Sequence, residues 1–222
     1  MKREKPSGFK KHRIHLLIFL VVLSIAFFLI LYNIKNSMYN LEFYQKEFEK
    51  NGVYDALGRD FVNNATLNLF NYLQGNEELG DYFNEREKLH LADVKRLIVY
   101  GNTFYYALIA IIIILFYLKY AHSEREFLRN ISKSFIASSL LVYSLFVVLV
   151  ILKSRFHELF VKFHQIFFTN DLWILNPETD KLVVMFPERF FYDLSSMILA
   201  KTAISVGVLF IGGVLIYYLS KK

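Results

Sequence analysis

The chain has 222 residues, 55% hydrophobic and 18% aromatic, with 26 Lys and Arg against 20 Asp and Glu for a net charge of +6. Mean hydropathy is +0.33, and the apolar residues gather in long runs. The absence of cysteine excludes disulfides, thiolate metal ligands and a cysteine nucleophile. In a soluble protein the basic excess would suggest nucleic acid. Here it lies beside the apolar runs, which points to membrane topology and membrane lipids, with no nucleic-acid partner.

Lys2, Arg3, Lys5, Lys10, Lys11 and Arg13 precede the apolar run Ile14–Tyr32. About 20 residues at ~1.5 Å rise match a hydrocarbon core of ~30 Å. The run is long, has no clear Ala-x-Ala site and is followed by further spans. It reads as an uncleaved signal anchor. Residues 34–96 are polar and acidic overall, with a helical pattern. Leu41, Phe43, Tyr44, Phe48, Val53, Leu57 and Phe61 mark its apolar faces, and Gly75 is a helix stop. Three more spans are expected over 98–118, 134–152 and 196–219.

The distribution of Lys and Arg places the N-terminus, the 119–133 loop and Lys221-Lys222 in the cytoplasm. Residues 34–96 and 154–193 then form an extracellular cap. The expected fold is an all-α membrane protein of the cell membrane. It is multi-pass, has both termini cytoplasmic, and forms a single membrane domain over 1–222.

The stretch Phe156–Phe191 is too polar to span a bilayer and too aromatic for a plain loop. Phe156, Phe160, Phe163 and Phe167 recur on one helix face, and His157 and His164 fall nearly on one line. Leu172–Leu175 and Leu182–Phe186 are strand-like runs around the turn Asn176–Asp180. A short β-hairpin is therefore expected at 172–186.

His90 and Asp93 are three apart, so a helix puts them on one face, where a carboxylate can orient an imidazole. An ordinary charged helix turn would show the same spacing. His164, with Asn170 and Trp173 following, suits a general base or acid near a lipid headgroup. An amphipathic helix anchored by its tryptophan suits the same residues. His90, His157 and His164 could together hold a zinc ion, but no tight His-x3-His spacing supports this, and no metal or cofactor is expected. Glu188 and Arg189 either bind a polar headgroup or begin a helix after Pro187. There is no glycine-rich phosphate loop and no Gly-x-Ser-x-Gly elbow. Ionisable groups are almost absent from the spans, which argues against a pump or channel.

Several elements occur in order. They are Tyr72-Leu73-x-Gly75, Glu87-x-x-His90-x-x-Asp93-Val94-Lys95, Phe163-His164-x-x-Phe167-Phe168, Trp173 and Phe186-Pro187-x-x-Phe190. This ordered set, with four spans, resembles the lipoprotein intramolecular transacylase family of Gram-positive bacteria, over nearly the whole chain. The resemblance implies a membrane acyltransferase acting on a diacylated lipoprotein in the outer leaflet. It would move one acyl chain from the diacylglyceryl group to the α-amino group of the N-terminal cysteine, giving the lyso form. It also implies catalytic roles for His164, His90 and Asp93. Asn170, Trp173, Arg189, Glu188 and Phe167 are expected to contact substrate. His157 matches no family position.

The chemistry agrees with this reading. The acceptor amine has a pKa near ~8, so attack on an ester needs a proton acceptor, and a neutral imidazole is suited to it. Both reacting groups sit on one molecule, and holding them together is worth an effective molarity of ~10⁵ M or more. Asn170, Arg189 or a second histidine could serve the oxyanion. Two rivals remain at this point: a histidine-dependent membrane lipid hydrolase, and a non-catalytic subunit whose cap binds a partner. The topology predicts that a single cysteine at Asn76 reacts with an impermeant label from outside intact cells. One at Ser123 should react only after permeabilisation; external labelling of position 123 would reverse the topology.

Overall fold

A computed structural model describes residues 8–120 and 124–221, with the side chains of 8–15, 118–120 and 124–126 excepted. The basic residues before Gly8, the side chains of His12 and His15, and His122 and Ser123 lie outside the described residues. The helices, in chain order, are α1 (Gly8–Met38), α2 (Leu41–Lys50), α3 (Val53–Leu57), α4 (Arg59–Gln74) and α5 (Glu85–Tyr120). Next come α6 (Glu124–Leu152), α7 (Phe156–Phe167), α8 (Lys181–Met185) and α9 (Glu188–Leu219), with a 3-10 turn at Lys153–Arg155 between α6 and α7. Four candidate membrane spans, by length and composition, lie within Leu16–Met38, Glu85–Tyr117, Phe127–Phe167 and Glu188–Leu219.

The chain divides into two compact units. The first comprises 1–33, 104–151 and 199–222. Small polar residues of α6 let it approach its neighbours closely. The Ser138 hydroxyl lies 3.1 Å from the Val22 carbonyl of α1, and that of Ser139 lies 3.3 Å from the Val206 carbonyl of α9. A Cβ added at Gly213 would meet Phe135 and Ile136 at 3.0 Å. Such small-residue packing replaces the hydrophobic drive that lipid surroundings remove. Ala26, Val142 and Val206 form the buried centre of this unit.

The second unit comprises 34–103 and 152–198. Its core is aromatic: Tyr44, Phe48, Phe70, Phe186 and Phe190 pack mainly edge to face, and Phe48, Val62, Ala65 and Met185 are fully buried. Burying a large apolar side chain of this kind contributes about 1.5–3 kcal/mol. Gly75 ends α4 in the left-handed conformation (φ 84°), as its place in the sequence predicts. Asn84 and Glu87 open α5 with reciprocal bonds. The Asn84 N–H donates to Glu87 Oε2 at 2.6 Å, and the Glu87 N–H donates to Asn84 Oδ1 at 3.0 Å.

The expected hairpin at 172–186 is absent: no strand occurs among the described residues. The turn exists, with the Thr179 and Asp180 amides donating to the Asn176 carbonyl at 3.1 and 2.8 Å. From this turn the chain enters α8. Leu182, Met185 and Phe186 stand at i, i+3 and i+4, and all three are buried in the aromatic core. A five-residue apolar run carries too little periodicity to separate strand from helix, and the core face decided it.

Glu87 is only 1% exposed, and its other oxygen accepts the Leu182 N–H of α8 at 2.5 Å. Replacing it with alanine orphans this amide and that of Asn84, at a cost of about 1–3 kcal/mol each. Glu87→Ala should therefore lower the unfolding midpoint in detergent markedly and Glu87→Gln less, with the exposed Leu89→Ala as control. A Glu87→Ala midpoint equal to that of Leu89→Ala would contradict this.

Candidate active site

The first turns of α5 and the last turns of α7 bring two histidines together. The rings of His90 and His164 lie 6.3 Å apart, centroid to centroid, and are only 7% and 9% exposed. Phe168 closes the pair, 5.1 Å from His90 and 5.6 Å from His164. His164 is further enclosed by Phe160 at 4.3 Å and stacks on Trp173 at 4.8 Å. Its Nδ1 is 2.7 Å from the Phe160 carbonyl one turn back. A carbonyl only accepts, so Nδ1 carries the proton and Nε2 keeps the lone pair. His90 Nδ1, by contrast, is buried with no hydrogen-bond partner.

Only about 20 residues of a helix fit the hydrocarbon core. The candidate spans Glu85–Tyr117 and Phe127–Phe167 are longer than this, and His90 and His164 stand near their charged ends, beside Glu85–Lys88 and Lys162. Burial, reinforced by the neighbouring His164, pushes His90 down to about 4, and the charge of Asp93 only partly opposes this. Burial also lowers His164, opposed by its bond to the Phe160 carbonyl. Both shifts favour the neutral ring, the state a proton acceptor needs.

The segment after α7 is tied to α5 at several points. Arg86 donates to the carbonyls of Asp171 at 2.6 Å and Ile174 at 3.2 Å. Asn170 Nδ2 donates to Asp93 Oδ2 at 2.8 Å, and Asn84 Nδ2 to Asp180 Oδ1 at 2.8 Å. Bonds from Asn176, Asn84 and Thr179 hold the Asp180 carboxyl below the usual carboxylate range.

Against this geometry stand the comparisons with known proteins. Residues 19–191 match the family model "Lipoprotein intramolecular transacylase Lit". The chain belongs to that family. It is a lipoprotein intramolecular transacylase, an acyltransferase of lipoprotein processing. A comparison with curated proteins gives no match. Among solved structures, the integral membrane Lit of Bacillus cereus is 25% identical, with 95% of each chain covered and a TM-score of 0.74. Two structures of that protein, with a histidine replaced by arginine or by alanine, are each 24% identical. They cover 96% of this chain and 92% and 94% of theirs, with TM-scores of 0.70, and share the fold.

In the transacylase, His90, His164, Asp93, Asn170 and Trp173 gather at one place. The expected carboxylate–imidazole pairing is not made: Asp93 bonds Asn170 and lies 3.5 Å from Arg96, while His90 Nδ1 stays unpartnered. Sharing a helix face put Asp93 near His90, but an amide from a distant segment took the carboxylate. Phe167 is exposed and packs on Phe163 at 4.8 Å. Glu188 and Arg189 are engaged elsewhere. Glu188 accepts from His157 Nδ1 at 2.7 Å, and Arg189 bonds Asp193 at 2.9 Å. His157 therefore pairs with a carboxylate rather than with the other two histidines. No cluster of three metal-ligating side chains occurs among the described residues. Sequence reasoning missed the parts played by Asn84, Glu87, Asp180 and the Phe160 carbonyl. The Asn84-x-x-Glu87 spacing was a readable capping signal; the others carried none.

A histidine buried neutral makes stability depend on pH. His90 has a folded pKa near 4, below its ordinary 6.5, so its contribution is fully present above about 6.5 and is lost as pH falls toward 4. The melting temperature in detergent should therefore drop over that window, and the drop should shrink in His90→Phe. An unchanged acid slope in His90→Phe would contradict burial of the neutral ring.

Proposed function

We propose that the His90–His164 pair carries out the proton transfers of the transacylation, on the outer side of the cell membrane. Residues 34–96 and 154–193 form the cap that meets the diacylated lipoprotein in the outer leaflet. His164 Nε2 accepts a proton from the α-amine of the lipidated cysteine as its nitrogen attacks the ester carbonyl carbon. The tetrahedral intermediate collapses, the C–N bond is kept and the C–O bond to glycerol breaks. The leaving glyceryl oxygen takes the proton from the imidazolium. An amide and a free hydroxyl result, with no cofactor and no acyl-enzyme. His90 donates to the developing oxyanion or acts as a second acid/base. Trp173 stacks on His164, and the exposed Phe167 packs on Phe163, offering apolar surface to the acyl chains of the substrate.

The observation that carries this reading is the bond from His164 Nδ1 to the Phe160 carbonyl, which leaves Nε2 as an unprotonated acceptor. Burial of both rings supports transfer to the amine over attack by water, because it excludes water from the reacting groups. Loss of a general base costs about 10²–10⁴-fold in rate. His164→Ala and His90→Ala should each reduce lyso-form production by that order, read by mass spectrometry of a lipoprotein's N-terminal peptide. His157→Ala should have a mild effect, and His12→Ala and His122→Ala none. Full activity in both His164→Ala and His90→Ala would overturn the assignment. Release of free fatty acid in place of the lyso form would establish hydrolysis.

A further inference from the structure

Trp173 meets the His164 ring because the turn that carries it is held by α5. The holding groups surround Trp173 in sequence. Asn170 gives its amide to Asp93 at 2.8 Å and receives the Leu172 N–H on its Oδ1 at 3.1 Å, which closes a tight local turn. The carbonyls of Asp171 and Ile174 both converge on one terminal nitrogen of Arg86, at 2.6 and 3.2 Å. Residues on both sides of Trp173 are thus fixed, and the indole stacks on the imidazole at 4.8 Å and 29°. The hydrogen bonds of Asp93, Asn170 and Arg86 go to the turn and to each other, and none reaches a histidine ring nitrogen among the described residues.

We infer that Arg86, Asp93 and Asn170 are positioning residues: they pin the 170–174 turn to α5 so that Trp173 fixes the plane of the His164 ring. The Phe160 carbonyl fixes one edge of that ring at Nδ1. Phe160 packs on the ring at 4.3 Å, and the indole face completes the packing that holds its plane. When His164 takes a proton, the imidazolium gains the attraction of a cation for an aromatic face, which the neutral ring lacks. The stack therefore favours the charged intermediate as well as the geometry. The inference rests on His164 as the base, and it gives Asp93 a different task from orienting His90.

The only tryptophan of the chain is Trp173, so its fluorescence reports this stack directly. The full-length protein in detergent should lose emission on acidification, because an imidazolium beside the indole quenches it. His164→Phe keeps an aromatic neighbour and should abolish the response. Facing the same ring, His90 lies 6.3 Å away, and the charged groups at the turn are Asp171, Asp93, Arg86 and Arg96, which lies 3.5 Å from Asp93. Asn170→Asp sets two carboxylates against each other. It should weaken the acid quench and lower kcat by about 10–100-fold, with KM little changed, as small misplacements of a reacting group do. The exchange Asp93→Asn with Asn170→Asp rebuilds the amide–carboxylate bond with its ends reversed, and should restore both quench and kcat. Arg86→Gln, at an exposed position, should reproduce the single-variant defect if Asn170→Asp does not fold. Retention of quench and kcat in both Asn170→Asp and Arg86→Gln would overturn the inference. A double exchange that restores the quench but not kcat would overturn it too, by assigning the Asp93 charge to the reaction itself. Full activity in His164→Phe would sink the base assignment instead, a result separate from the fluorescence of the turn variants.

Discussion

The buried carboxylate of Glu87 is the constraint on which the second unit depends. One oxygen closes the first turn of α5 with Asn84; the other receives the Leu182 amide in the first turn of α8. A carboxylate this enclosed is tolerated only because main-chain donors surround it. Asn84 also reaches Asp180, so the start of α5 and the start of α8 are locked as one piece. The segment between α7 and α8 spans a fixed gap as a result. It has little choice but to run along α5, past Arg86 and Asp93, with Trp173 turned onto His164.

The proposed site suits the reaction proposed for it. Its chemistry needs an amine stripped of a proton and an ester held beside it, and supplies its own nucleophile. The protein must add a neutral base in a place water does not reach. An imidazole in bulk water is protonated in part near neutral pH; burial lowers both rings, His90 further through the neighbouring His164, and so favours the neutral form. The cost of that burial is a pair of polar rings with few partners, one of which has an orphaned nitrogen. Such sites are unstable by construction and need rigid surroundings, which the aromatic core of Tyr44, Phe48, Phe186 and Phe190 provides.

Much of this was legible in the sequence where the signal is local and repeated. Long apolar runs gave four candidate spans, Gly75 marked the end of α4, and the Phe repeat of 156–167 marked α7. The family was legible from ordered short motifs. The illegible parts depend on partners far along the chain. Leu182–Phe186 reads equally as strand or helix until the core face is known. Asp93 looks like a partner for His90 until Asn170, 77 residues away, takes its carboxylate. Glu188 and Arg189, expected to contact substrate, each hold a partner that spacing did not announce, His157 and Asp193. Spacing within one helix predicts which side chains share a face, not which of them a distant segment will claim.

The most direct test of the account is the tautomer of His164. With histidine nitrogens labelled by ¹⁵N, two-bond nitrogen–proton correlations distinguish a protonated Nδ1 from a protonated Nε2. Assignment by His164→Gln identifies the ring in the detergent-solubilised protein at pH about 7.5, above the ordinary imidazole pKa. The account predicts a neutral ring with the proton on Nδ1, held by the Phe160 carbonyl, and a free Nε2. A ring protonated on Nε2, or already an imidazolium at that pH, would contradict it, because neither could take a proton from the amine at Nε2.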